Sequence, residues 1–407
     1  MNMHSAMIAA ASTDVRELQR RNDILGLVSI IREAAAADRR VFALPEVKAW
    51  CARRWRFLFL REAVEDQKAL EAATVRDDER PPLQRIAERY LAEGTEAWRD
   101  EQPAPVEVTV RQTTLLMCPG LLNGLLPVRE FRDDLPRVAW RYRMPVLRSA
   151  SHPARSCEAN VADVMRALDQ GVGTDAAARP IPDGEAQVPG EVMVIAYSKG
   201  APDTLTTLVK HPHLADRMRC VFTWAGAIGG SQVADELLRK LGKTGIGPNA
   251  AGISRSLKAF ARSLLSKEAI GNHRIEEYDS LGAVRDLTTG VRQAFLDRHA
   301  AGIDRLGIPF FTLRGTTSLP EVPFSQRGGC RLLSRYEAQH DMQVAGSCSK
   351  LPIPMATELA VLRGHHWDLA YPAFRERRWL NNTYHPFPKT AAVTAMVQLA
   401  SELGLAR

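Results

Sequence analysis

Ser198 closes the run Glu191-Val-Met-Val-Ile-Ala-Tyr-Ser198, and Lys199-Gly200-Ala201-Pro202 follows it at once. The apolar, β-branched stretch predicts a buried strand. Pro202 suits the first turn of a helix, where its missing N–H costs nothing. A serine held on so tight a strand-to-helix turn needs small residues two positions to either side, because the backbone is crowded there. Ala196 and Gly200 meet that demand. The helix N-terminus beneath Ser198 would also offer backbone N–H groups and partial positive charge to a developing oxyanion. The chemistry predicted is nucleophilic attack by Ser198, which requires a general base to remove the hydroxyl proton.

These residues carry a resemblance. Ala-Tyr-Ser198-Lys-Gly resembles the nucleophile elbow of the α/β-hydrolase superfamily, with Ala in the first small position. Thr114-Leu-Leu-Met-Cys-Pro-Gly-Leu-Leu-Asn-Gly124 is similar to the oxyanion loop of bacterial lipases and esterases, with Pro119 where that family usually has His. By that likeness the backbone N–H groups of Leu121 and Lys199 form the oxyanion hole. The family order of nucleophile, acid and histidine then implies the remaining two members. Leu359-Ala-Val-Leu-Arg-Gly-His365-His366-Trp-Asp368 resembles the last strand and its histidine loop, which implies His366 as base with His365 as its immediate competitor. Gln339-His-Asp341-Met-Gln-Val344 resembles the segment that carries the acid, which implies Asp341. Its competitors are Asp304 and Asp368, and the long separation from Ile308–Leu313 implies an insertion around Ser318–Leu333.

The resemblance implies a serine ester hydrolase working through an acyl-enzyme, with a small-molecule or lipid ester as substrate and no metal or organic cofactor. A thioesterase or acyltransferase would use the same residues, and a non-catalytic binding protein would share the fold. Cys220–Ser231 ends in Gly226, Gly229 and Gly230, but it lacks both the dinucleotide spacing and the Lys-Ser/Thr of a phosphate loop.

The elements needed to position such a site follow from the pattern. Short apolar runs at Thr114–Cys118, Pro145–Leu147, Val192–Ala196, Cys220–Ala225, Ile308–Leu313 and Glu358–Leu362 alternate with helical stretches. That alternation predicts an α/β architecture, a mostly parallel sheet with helices on both faces. Val106, Val108 and Val110 alternate with polar residues as a further strand would, and Gly171–Gly190 reads as a surface loop. The predicted division is an N-terminal helical region over residues 1–105 and a hydrolase domain over 106–407, with a helical cap inserted at about 231–307. In the first region Trp50, Trp55, Phe57, Leu58 and Phe59 need a partner surface. In the cap, Ile253, Leu257, Phe260, Leu264 and Leu265 form an apolar face on a basic helix. That helix is expected to pack on the sheet, and its basic face suits an anionic membrane or acidic substrate surface. His211, His213, His273 and His299 are expected at the surface.

Composition narrows the class further. The chain has 407 residues, 45% apolar and 25% charged, as globular domains do. No apolar run reaches the ~18 residues of a membrane span, and Met1–Thr13 contains no Lys or Arg, unlike a secretory signal. Six scattered cysteines without metal-ligand spacing fit a reduced, cytoplasmic setting better than a disulfide framework. The net charge of +7 falls entirely within residues 101–407. It is dispersed through Arg-rich helices, so a solvated basic surface is expected and nucleic acid is not.

Overall fold

Of the seven strands among the described residues, six are buried along most of their length, which is what a parallel sheet covered on both faces demands. They are β1 (Thr113–Cys118), β2 (Val146–Ser149), β4 (Glu191–Tyr197), β5 (Met218–Trp224), β6 (Phe310–Thr316) and β7 (Ala356–Arg363). The remaining strand, β3 (Gly173–Thr174), lies inside the stretch expected to be only a loop. It pairs antiparallel with β2 at the sheet edge. The computed structural model describes residues 3–105, 108–121, 123, 129–243, 277, 279–372 and 386–407. The strand order is β3-β2-β1-β4-β5-β6-β7, and every pair from β2 to β7 is parallel. The C-terminal ends of β1, β4, β6 and β7 therefore open on one edge of the sheet, where ligands bind in open α/β folds.

Residues 3–99 form five α-helices, α1 (Met3–Arg20), α2 (Ile24–Ala37), α3 (Pro45–Ala63), α4 (Gln67–Ala73) and α5 (Pro82–Tyr90), with two short 3-10 helices at Arg39–Ala43 and Thr95–Arg99. The aromatic patch of α3 meets β7 and the C-terminal helix Lys389–Glu402. Trp55 stacks on Phe59 at 5.2 Å and Phe59 on Phe387 at 5.9 Å, all within the core that also holds the sheet. Fully burying one such ring contributes about 1.5–3 kcal/mol. Just beyond α5, Leu91 bridges Leu362 antiparallel and the Ala92 N–H donates to the Val361 carbonyl at 2.8 Å. The N-terminal region thus covers the exposed edge of β7, which would otherwise present unpaired backbone groups.

Val108 and Val110 form no strand. The Val110 N–H donates instead to the Tyr142 carbonyl at the end of helix α6 (Asp134–Tyr142), so the alternation had no strand to pair with. In the 231–307 segment, α9 (Gln232–Lys243) and the helices Ser280–Arg285 and Thr289–Arg305 are described. The amphipathic stretch through Ile253, Leu257, Phe260, Leu264 and Leu265 lies outside the described residues, as do Val106, Gly124 and His273. All six cysteines are free thiols, five of them buried. Among the described residues no helix is long and apolar enough to cross a membrane.

Candidate active site

The β4 strand ends at Tyr197, and α8 (Gly200–Lys210) begins two residues beyond Ser198. Ser198 sits between them at φ +51°, a left-handed conformation that an L-residue adopts only when its surroundings impose it. The Ser198 N–H donates to the Trp224 carbonyl at 3.0 Å, and the Ser198 carbonyl accepts from the Ala227 N–H at 3.1 Å. Gly200 is small of necessity. A Cβ there would stand 2.1 Å from the Cys118 carbonyl oxygen. Gly120 is less severely constrained but still tight, since its Cβ would lie 3.0 Å from the Tyr197 ring and 3.1 Å from the Ser198 Cβ. The loop after β1 is therefore pressed onto the elbow.

His366 Nε2 lies 2.8 Å from Ser198 Oγ, and His366 Nδ1 lies 2.7 Å from Asp341 Oδ2. A carboxylate accepts, so Nδ1 carries the proton and Nε2 is left to accept from the serine hydroxyl. Asp341 is aimed by a tight turn: its Oδ1 accepts the Gln343 and Val344 N–H groups at 3.0 and 2.7 Å. Its backbone carbonyl accepts the His366 N–H at 2.8 Å, which ties the acid loop to the histidine loop. Asp341 is 1% exposed and His366 4%, whereas Ser198 is half-buried and reachable.

The competing residues lie elsewhere. His365 is fully buried, with Nε2 3.0 Å from Asp368 Oδ2 and Nδ1 accepting the Asp368 N–H at 3.1 Å. Asp304 accepts the Met355 N–H at 3.0 Å, in front of β6 and β7 and so at the sheet edge opposite Ser198. Of the other histidines, His213 is exposed while His211 and His299 are half-buried.

Lys199 provides the helix N-cap backbone, and Leu121 follows Gly120 on the adjoining loop. The Lys199 side chain turns inward. It is 1% exposed, with Nζ 2.6 Å from Asp203 Oδ1, and Asp203 Oδ2 accepts from Asn160 Nδ2 at 2.9 Å. Burial is the largest single influence and works to lower the pKa of this ammonium, but the charge and hydrogen bond of Asp203, with smaller help from Cys157 and Asp286, together leave the net shift upward. Asp203→Asn should then strand a buried cation and cost about 3–5 kcal/mol of stability. Chemical denaturation would measure that loss, and adding Lys199→Met should recover part of it. Unchanged stability in Asp203→Asn would mean that the pair does not lock the elbow helix.

Several contributors escape sequence reasoning. The Tyr197 hydroxyl donates to the His366 carbonyl at 3.0 Å, and its ring lies 5.1 Å from the imidazole. Arg314, buried in β6, holds Glu358 at 2.8 Å and donates to Gln339 at 2.7 Å. Gln339 in turn donates to Glu93 at 2.9 Å, so the N-terminal region steadies the loop carrying Asp341. The i,i+4 spacing of Lys199 and Asp203 was a readable signal, whereas the others depend on long-range packing. Among the described residues no cluster of three or more His, Cys, Asp or Glu could hold a metal ion.

This sheet order, with the elbow at the end of β4, is that of the α/β-hydrolase fold. The chain is similar to the metagenomic carboxyl esterase MGS0156, with 22% identity and a TM-score of 0.60 over 86% of this chain and 91% of that one. Weaker likenesses include the mature lipase BlEst2 of Bacillus licheniformis (19% identity, TM-score 0.41, covering 66% of this chain and 89% of that chain). Lipase 1 of Pelosinus fermentans is similar at 11% identity and a TM-score of 0.42, over 73% and 99% of the respective chains. No protein-family model matches the sequence, and no curated protein does.

Proposed function

We propose that the protein is a serine ester hydrolase in which Ser198, His366 and Asp341 form the catalytic triad. The observation that carries this reading is the continuous row from Ser198 Oγ through His366 to Asp341, with both distances below 2.9 Å. The left-handed turn at Ser198 supports it, since strain of this kind marks functional positions. In the first step Ser198 Oγ attacks the ester carbonyl carbon and its proton passes to His366 Nε2. The carbonyl oxygen becomes an oxyanion facing the Leu121 and Lys199 N–H groups. Collapse breaks the bond to the alcohol, which leaves with the proton from His366. Water then repeats the sequence on the acyl-enzyme and releases the acid. The same reading treats residues 106–407 as the hydrolase domain, with its cap insertion at about 231–307. Residues 1–105 are the helical region that braces it, and the chemistry calls on no metal or organic cofactor.

Hydrolysis of an aryl-ester series of increasing acyl length by the purified protein tests the activity and gauges the pocket together. Turnover of several members is expected, and none on any member would remove the proposal. Within it, Asp341→Asn should retain the fold and lower kcat by about 10⁴, because an amide favours the wrong imidazole tautomer. Stopped assays on one aryl ester would measure it. Near-normal turnover in Asp341→Asn would exclude Asp341 as the orienting acid.

A further inference from the structure

A cavity of about 300 Å³ opens beside the loop that follows β1, at the C-terminal end of β2. Pro119, Arg129, Arg148, Ser149, Ser151 and Arg166 are among the residues lining it, and among the described residues no Asp or Glu does. Three arginines thus border one small space. Arg148 is 5% exposed; one guanidinium nitrogen donates to the Glu130 carbonyl, while its buried Nε has no partner. Burial pushes the Arg148 guanidinium below its ordinary pKa, Glu130 pulls it back, and Arg129 pushes it down again. Of the neighbouring carboxylates, Asp175 pairs with Arg179 at 2.7 Å and Asp163 with Arg155 at 2.8 Å. Glu130 is the principal opposite charge acting on Arg148, and it also accepts the Tyr371 hydroxyl at 2.8 Å. Of the three arginines, Arg148 is desolvated, Arg129 half-buried and Arg166 exposed. A buried guanidinium beside a like charge favours a nearby anion, and a carboxylate matches its fork geometry.

The cavity also lies close to the nucleophile. Pro119 forms part of its wall, and the next residue, Gly120, abuts Ser198. His152, on the same wall, donates its N–H to Asn160, which holds the Asp203 that binds Lys199. Resting on the ester-hydrolase reading above, we propose that this cavity is an anion subsite and that the favoured esters carry a carboxylate on their acyl or alcohol side. A substrate seated on Ser198 would extend that carboxylate past Pro119 towards Arg129, Arg148 and Arg166.

Two pairs of esters test this and separate the sides. An aryl half-ester of adipic acid is compared with the matching aryl adipamate, which replaces the carboxylate by a neutral amide. Acetoxybenzoate is compared with acetoxybenzamide, which places the charge on the leaving group. The purified full chain should favour the anionic member in kcat/KM by about tenfold or more in at least one pair, as expected for a charge-assisted contact. In Arg166→Gln, a change on the solvent-exposed part of helix α7 (Cys157–Gln170), that ratio should fall several-fold, and likewise in Arg129→Gln. A ratio near one in both pairs, or a preference untouched by both substitutions, would overturn the subsite while turnover of the neutral esters kept the hydrolase reading intact. Loss of all four activities together with an unreactive Ser198 would overturn both.

Discussion

Ser198→Ala is expected to lower ester turnover by on the order of 10⁶ while the protein stays folded, since losing a triad serine typically costs that much. The substitution removes one hydroxyl, and the left-handed turn is held by backbone bonds to Trp224 and Ala227 that alanine keeps. Circular dichroism and thermal melting should therefore match the parent within a few degrees. Substantial turnover in a preparation free of contaminating esterase would place the nucleophile elsewhere.

The second large effect separates two adjacent histidines. His366→Ala should eliminate turnover to a similar degree, because Ser198 would remain a neutral alcohol without a base. His365→Ala should retain activity within about tenfold, equivalent to about 1.4 kcal/mol of barrier. Its side chain is engaged with Asp368, not with Ser198, although removing a fully buried ring should cost stability. Turnover of one aryl ester by both variants measures the difference. An inactive His365→Ala beside an active His366→Ala would reverse the roles.

The features legible in the sequence were those whose physics is local. A buried strand, a small-x-Ser-x-small turn and an immediate helix start sit within a dozen residues, so the elbow at Ser198 could be read directly. The alternation of apolar runs and helical stretches led to the mostly parallel sheet. Asp341 and His366 were reached only through a resemblance, because 25 residues separate them and nothing local says that their side chains meet. Asn160 and Asp203 are 43 residues apart, and Tyr197 contacts the His366 carbonyl across 169. Periodicity carries no information about such pairs. The expected strand at Val108 and Val110 failed for a related reason: alternation describes a half-buried segment, but only a neighbouring strand makes it part of a sheet. The aromatic patch around Trp55 declared its need for a partner without naming β7 or the C-terminal helix.

The most direct test of the central claim is covalent labelling with a fluorophosphonate, which reacts with a serine only when a neighbouring base and an oxyanion hole activate it. The purified protein should gain a single adduct, and peptide mass spectrometry should place it on Ser198. Ser198→Ala should gain none. An unlabelled parent protein, or an adduct that persists in Ser198→Ala, would contradict the account.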